Sequence, residues 1–591
     1  MSLRLTLGGL VTSALVMSVI LTLSPLRKAT GGQDVEIGHW SWHEATPSRD
    51  LVWTKCYDDK FECARLDVPM DWQNPSETDR VILGVMKLPA KTRGYSVPPL
   101  FINPGGPGGS GIKSLQTMGS EIQTVAGDYH DVISWDPRGI GVSTPRVDCW
   151  GTSQKRQMWS FQQTPAADER PGLIYDAYSR AIAYSGACES TMNETRLLNH
   201  LSTASSARDL LDLVEKTGHE KLRYWGFSYG TVLAGVFASM YPDRIDRMIS
   251  DGNVDLGGWF TLDHTDFLHD ADNILNVFDE ACHNAGPSKC ALWAASADAI
   301  RDRRANVLQS LKEHPVILPA HSTESGSELP LVITYSDVQR YVRVAIYKPL
   351  VHAEDIARVF AGVENGNGLP FFESRKAIEG DSSPLSELFC SVDDTPAMEP
   401  LETGFEVDAF PAIMCSDVGD SYKSVAQAAQ YLEKLREASR WTGAASLMFR
   451  LPCAGRTVES SWRHVPDLQT KQATSHPILF LNNLYDNVTP IYGARLNSAH
   501  FDGSVVLQQN SLGHCSFAGP STCTAKHVQQ YLKKGVLPAE GSQCDQDHDL
   551  FQKPSEDEIM AQDELSSALW RLSQASRDGF PAAHWPDARY M

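Results

Sequence analysis

After its first thirty residues the chain has no basic run of any length, and its net charge is −21 with a pI near 5.3. A nucleic-acid-binding surface is therefore not expected, and the balance points to a soluble acidic protein. No C-x-x-C pair and no Cys/His cluster at zinc-ligand spacing occurs, which argues against a structural metal. There is no internal repeat and no extended low-complexity tract, so repeat architectures and long structureless linkers are excluded. What remains is a chain of 591 residues, 42% of them apolar, enough to bury one large domain carrying a sizeable insertion.

The first 32 residues read as a targeting segment. Arg4 precedes about twenty uncharged, mostly apolar residues, Leu5 to Leu26, and Arg27-Lys28 follow. The length and the lack of an A-x-A-like site favour a signal anchor over a cleaved signal peptide. The basic pair after the segment argues the other way. Either outcome sends the chain into the secretory pathway, secreted or membrane-anchored with its catalytic domain on the lumenal or extracellular side. The 12 cysteines agree: several, Cys56/Cys63, Cys282/Cys290 and Cys515/Cys523, lie close in sequence and read as disulfides, with a connectivity that sequence alone does not fix. Asn193-Glu194-Thr195 is expected to be a glycosylated surface sequon, and Asn487-Val488-Thr489 an enclosed one.

From Thr54 the pattern is strand-like, through Cys63–Pro69, Val81–Leu88, Pro99–Asn103 and Asp131–Asp136. Ala204 to Thr217 has helical spacing, and Leu222–Trp225 and Arg247–Gly252 are further strands. Hairpin strands followed by β–α alternation predict an α/β fold with a mainly parallel central sheet. The alternation stops near residue 258 and resumes at Pro477–Leu481, so residues 50–258 and 471–545 are expected to form the core. Residues 259–470 are expected to form a large, mostly helical inserted cap. Residues 546–591 are read as a helical tail, opened by a capping box at Ser555 and running to about Ser576.

The chemistry centres on Gly226-Phe227-Ser228-Tyr229-Gly230, a G-x-S-x-G between a buried-strand pattern and a helical one. A serine on a tight strand-to-helix turn is exposed for attack, and the helix N-terminus favours developing negative charge beside it. Serine needs a base, and the base needs an acid to hold its tautomer. Downstream, the strand Ile478–Leu481 runs into a turn bearing Asp486 before Pro490. The strand Ser504–Gln508 leads to Gly513-His514 about 28 residues after that acid. Ser228, Asp486 and His514 follow one another in the chain order found where a G-x-S-x-G serine sits on a strand-to-helix elbow. Histidine must be neutral to act as base, so activity is expected to fall toward acid pH. An oxyanion site needs two N–H groups. One is expected from Tyr229, and the other from the loop Asn103–Gly111, whose prolines and lack of a G-x-G-x-x-G register exclude a dinucleotide reading. No cofactor is called for.

Asn103–Gly111, Trp135–Ser143, Gly226–Gly230, Asp486–Pro490 and Gly513-His514-Cys515 together resemble the tripeptidyl aminopeptidase branch of the prolyl-aminopeptidase-like serine peptidases. The likeness runs from about Trp53 to Tyr531 and is weakest between residues 259 and 470. It implies an α/β-hydrolase fold, Ser228/Asp486/His514 as the triad, Gly106 as the second oxyanion donor, and release of short peptides from free N-termini. It also implies structural roles for Asp136 and Arg138. The triad alone supports only hydrolysis of an ester or amide, so a carboxylesterase or lactonase is the rival enzyme. A non-catalytic binding protein on the same fold is the rival from another class. The cap acids Asp393, Asp394, Glu399 and Glu402 are candidates for the substrate's α-ammonium, but a surface-charge role suits most of them. His264, Asp266, His269, Asp270 and Asp272 look ligand-like yet fit a solvated helix start, and Phe371-Phe372 fit cap core.

Overall fold

The computed structural model describes residues 40–94, 97–162, 165–261, 263–320, 330–379, 396–403, 406–418, 422–552 and 554–575. The segment 1–32 expected to be a targeting segment, Asp393, Asp394, Cys390 and the end of the tail lie outside the described residues. Among the described residues, no helix is long and apolar enough to cross a membrane.

Twelve strands occur among the described residues. They are β1 Thr54–Cys56, β2 Phe61–Pro69, β3 Arg80–Leu88, β4 Leu100–Asn103, β5 Val132–Trp135, β6 Leu222–Phe227, β7 Ile245–Asp251, β8 Val316–Leu318, β9 Leu331–Ile333, β10 Leu479–Tyr485, β11 Val505–Leu512 and β12 Gln543–Asp545. Ten form one sheet in the order β1-β2-β3-β5-β4-β6-β7-β10-β11-β12, and β8–β9 make a separate antiparallel hairpin. Pairing is antiparallel from β1 to β5 across β2 and β3, and parallel from β5 through to β12. The expected mainly parallel sheet is therefore present, with the early hairpin strands at one edge.

Burial follows from that topology. Every residue of β6 is buried, as expected for a central parallel strand covered on both faces, and its one charged side chain, Arg223, is paired with Asp246. Strand β2, between β1 and β3, instead mostly alternates between buried and half-buried positions. The helices Thr203–Lys216 and Tyr229–Met240 pack on each other and contribute Leu210, Val214, Val232 and Phe237 to the core. Strand order turns about β4. The chain goes from β4 to β5 on one side and then returns to β6 on the other, so the carboxyl ends of β4 and β6 flank a topological switch point, where α/β sheets place their sites.

Between β7 and β10 lie helices that include Ala271–Ala285, Ala297–Leu311, Tyr335–Ala345, Pro349–Glu364, Ala409–Val418 and Val425–Ala438. Ile274, Phe278, Ile300, Val342, Phe360 and Phe371 pack in an apolar cluster of this region. Phe410, Ile413 and Met414 belong instead to the cluster around the sheet. The capping box at Ser555 forms, but its helix ends at Met560. Asp563 accepts from the Ser566 amide and starts a second helix, Glu564–Gln574, so the tail is two helices rather than one.

Among the described residues, five disulfides join Cys56–Cys63, Cys149–Cys188, Cys282–Cys290, Cys415–Cys453 and Cys523–Cys544. The expected Cys515/Cys523 pair is not made. Cys515 is a buried free thiol packed on Gly252, whereas Cys523 opens a helix facing Cys544 of β12. Proximity in sequence was a poor guide here, because a bridge needs close, facing Cβ atoms. Cys523, His527 and Cys544 sit within ligand reach of one another, but the disulfide occupies both sulfurs. The set of bridges fits an oxidising, extracellular type of environment.

Candidate active site

Ser228 sits between β6 and the helix Tyr229–Met240 with φ 56° and ψ −122°, a conformation that non-glycine residues rarely adopt. Its surroundings hold it there. The Ser228 amide donates to the Asp251 carbonyl at 3.0 Å, and the Thr231 amide and hydroxyl donate to the Ser228 carbonyl at 2.8 and 2.6 Å. The flanking glycines serve close approach. A Cβ on Gly226 would lie 2.5 Å from the Gly230 carbonyl oxygen, and one on Gly230 would lie 2.9 Å from that of Asn103.

Asn103 ends β4 and pairs with Gly226 of β6, so the glycine-rich loop leaves the sheet beside the serine turn. Gly105 and Gly106 have φ of 92° and 110°. A Cβ on Gly105 would meet the Phe227 carbonyl oxygen at 2.3 Å, Ser228 Cβ at 2.9 Å and the Tyr229 nitrogen at 3.0 Å, so only glycine lets the loop lie against the turn. The Gly105 amide donates to Asn103 Oδ1 at 3.0 Å. Among the described residues, neither the Gly106 nor the Tyr229 amide donates to another protein group. Both are available to a ligand.

The loop is braced from behind by Asp136. Its fully buried carboxylate accepts from Ser110 Oγ (2.7 Å), the Ile112 amide (3.1 Å) and the Val142 amide (2.8 Å). Burial pushes its pKa up to about 6, against the pull of those donors. Arg138 is equally buried and makes a two-pronged bond to Asp209 at 2.7 Å on each arm. Neither side chain reaches the loop's free amides; they tie the sheet to its flanking helices.

Asp486 and His514 leave the ends of the paired strands β10 and β11, which brings them together. Asp486 is fully buried and accepts from the Val488 amide (3.0 Å), the Thr489 amide (2.9 Å), Thr489 Oγ1 (2.7 Å) and the Cys515 amide (3.0 Å). His514 Nδ1 lies 3.0 Å from both of its oxygens. Acid and ring can both be satisfied only if Nδ1 carries the proton, which leaves Nε2 as the acceptor. Thr489 Oγ1 also lies 3.1 Å from Nδ1.

The histidine loop is fixed by groups that the sequence reading missed. The Asn483 side chain donates through Nδ2 to the carbonyls of Gly513 (2.8 Å) and Cys515 (2.6 Å), and Gln509 Nε2 in turn donates to Asn483 Oδ1 at 3.0 Å. Asp251, at the end of β7, accepts from the Ser516 amide (2.8 Å), Ser516 Oγ (2.6 Å) and Trp225 Nε1 (3.2 Å). Its carbonyl receives the Ser228 amide and lies 3.6 Å from Cys515 Sγ. Asp251 thereby joins the histidine loop to the serine turn. An acid ending a buried strand was the signal that could have found it. On the far side, Asp417 accepts from Thr203 and from Trp259 Nε1 (2.9 Å), and Thr203 Oγ1 meets the Tyr229 hydroxyl at 2.6 Å.

The remaining singled-out residues fall elsewhere. Asn193 is exposed at the end of the helix Leu173–Met192, and Asn487 is 2% exposed. His264 is buried and stacked on Phe267, and Asp270 is buried, against the solvated helix start expected of them, whereas Asp266 and His269 are exposed as expected. Glu402 accepts from the Tyr57 hydroxyl at 2.8 Å, and Glu399 is an exposed acid beside His43.

Comparison with known proteins agrees with this geometry. A family model described as alpha/beta hydrolase fold matches residues 98–281, and one described as TAP-like protein matches residues 438–544. The serine protease Hip1 of Mycobacterium tuberculosis is 26% identical over 518 residues, covering 84% of this chain and 91% of that protein. The tripeptidyl aminopeptidase of Streptomyces coelicolor is 25% identical over 516 residues, covering 84% of this chain and 86% of that protein. Carboxylesterase B of M. tuberculosis is 23% identical over 549 residues, covering 92% of this chain and 97% of that protein. The chain has the α/β-hydrolase fold and is a serine hydrolase.

Proposed function

We propose that this serine hydrolase is an exopeptidase that releases short peptides from free N-termini through an acyl-enzyme. Ser228 attacks the carbonyl carbon while His514 Nε2 takes its proton, and Asp486 holds the ring and stabilises the imidazolium. The oxyanion forms against the Gly106 and Tyr229 amides. His514 then returns the proton to the leaving amine, and a water, deprotonated by the same ring, releases the peptide acid. The observation that carries this reading is the juxtaposition of the free-amide loop with the strained Ser228 turn, tied through Asp251 to the His514–Asp486 pair. The step from hydrolase to exopeptidase rests on the likeness to the tripeptidyl aminopeptidase.

In this reading residues 259–470 act as the cap that selects the substrate. The chain works on the lumenal or extracellular side, secreted or anchored by segment 1–32, with Asn193 as a glycosylation site. Its substrates are peptides, not nucleic acids. Kinetics on tripeptidyl anilides with free and acetylated N-termini, beside acyl p-nitrophenyl esters, test the proposal. Hydrolysis only of the free-amine anilides supports it. Equal rates on blocked and free peptides would remove the exopeptidase claim. The likeness to carboxylesterase B supports a second reading, an esterase or lactonase, for which the acyl esters would be strongly preferred.

A further inference from the structure

His514 rests on a turn that belongs to neither of its neighbouring strands. Its amide donates to the Tyr347 carbonyl at 2.8 Å, and its ring meets the Tyr347 ring edge-on with centroids 5.2 Å apart. The fit is tight, since a Cβ on Gly513 would lie 2.5 Å from the Tyr347 oxygen and 2.6 Å from Pro349 Cδ. Tyr347 and Lys348 join the helices Tyr335–Ala345 and Pro349–Glu364, and both are buried.

Lys348 points the other way along the same turn. Its ammonium donates to the carbonyls of Leu572 (3.2 Å) and Ser573 (2.9 Å), in the last turn of the helix Glu564–Gln574. Those carbonyls are among the last four of the helix, the end whose carbonyls favour a cation. The same helix packs on the turn Ser516–Ala518, which follows the histidine, and on the helix Gly111–Ala126, which follows the glycine-rich loop. Burial pushes the Lys348 pKa down to about 7, so the ammonium is held in the interior at a cost that an apolar side chain would not incur.

We propose that Lys348 is a positioning residue for the general base: by seating on the carbonyl end of the C-terminal helix it fixes the Tyr347–Lys348 turn on which His514 rests. The C-terminal helix thereby becomes part of the catalytic apparatus. The inference rests on His514 being the base, as read above. Lys348 touches no reacting atom, so its loss acts on turnover rather than on substrate binding.

The test compares Lys348→Met and Lys348→Arg in the full chain, by melting temperature, kcat and KM on a tripeptidyl anilide, and rate of fluorophosphonate labelling. Lys348→Met is expected to lower kcat and the labelling rate by about 10- to 100-fold with KM within about twofold, the penalty of a base displaced by a fraction of an ångström. Lys348→Arg restores most of the loss. An unchanged kcat in folded Lys348→Met, a loss confined to KM, or failure of arginine to restore any of it overturns the proposal. Should Lys348→Met fail to fold, Leu572→Ala loosens the same helix without touching the lysine. A drop in its kcat at constant KM supports the proposal, and an unchanged kcat overturns it. His514→Gln is run beside them. If it keeps full turnover, the assignment of the base has failed, which is a separate result from failure of the lysine.

Discussion

Replacing Asp486 by asparagine changes one atom of the carboxyl group and leaves its shape intact, so the consequences can be traced donor by donor. One oxygen faces the amides of Val488 and Thr489; the other faces Thr489 Oγ1 and the Cys515 amide; both face His514 Nδ1. Every partner donates to the carboxylate, and of them only the threonine hydroxyl can turn and accept. The new NH₂ therefore goes to the Thr489 side, where it leaves the Cys515 amide unpaired in a buried site, a loss of about 1–3 kcal/mol in stability. It also confronts Nδ1 with a donor. The imidazole answers by moving its proton to Nε2, the nitrogen that accepts from Ser228 in the proposed mechanism. An asparagine in this position of a serine triad costs about 10⁴ in kcat, or about 5 kcal/mol of transition-state stabilisation. The assay is kcat and KM on a tripeptidyl anilide alongside a thermal melt. A variant that melts as a folded protein and keeps kcat within tenfold of the parent would falsify the role given to Asp486.

Gly105→Ala is expected to lower kcat by about 10²- to 10³-fold, the loss seen when one oxyanion donor is misplaced, because its Cβ would push against the Phe227 carbonyl and Ser228 at φ 92°; a parent-like rate would remove the loop from the site. Asp251 carries a pKa raised to about 6 by burial, above its unfolded value of 3.8. The folded state thus binds its proton more tightly, and this carboxyl lowers stability progressively as pH rises from about 4 to 6. The melting curve of Asp251→Asn should therefore gain on the parent as pH rises through that window, by about 3 kcal/mol in all, and a constant offset would contradict the raised pKa. Removing the Cys149–Cys188 bridge, which spans 39 residues, is expected to cost about 4 kcal/mol by loop entropy, read as a lower denaturation midpoint of the Cys149→Ser/Cys188→Ser protein; an unmoved midpoint would show that the bridge does not constrain the unfolded chain.

The central sheet was legible because its strands announce themselves locally. Leu222–Phe227 is a short, aromatic-rich segment that runs into Ser228, and Leu479–Tyr485 ends in an Asp-Asn-Val-Thr-Pro turn. The positions of Asp486 and His514 followed from strand ends, since adjacent parallel strands deliver their following loops to one edge. Partners set by tertiary packing were not legible. Asp251 binds Ser516 across 265 residues of sequence, and Tyr347 meets His514 from a helical turn between two elements of another region. Nothing in the local pattern of either residue records that contact. The same limit explains Cys523, whose partner Cys544 is fixed by the place of β12 at the sheet edge, not by spacing. His264 misled for the opposite reason: its polar neighbours suggested solvent, while stacking on Phe267 and Trp259 buries it.

Incubation of the full chain with a fluorophosphonate probe, followed by peptide mass mapping, tests the central claim most directly. A single adduct on the peptide containing Ser228, abolished by Ser228→Ala and strongly slowed by Asp486→Asn, is the predicted result. A folded protein that hydrolyses substrate yet takes no probe at Ser228, or takes it on another serine, would contradict the account.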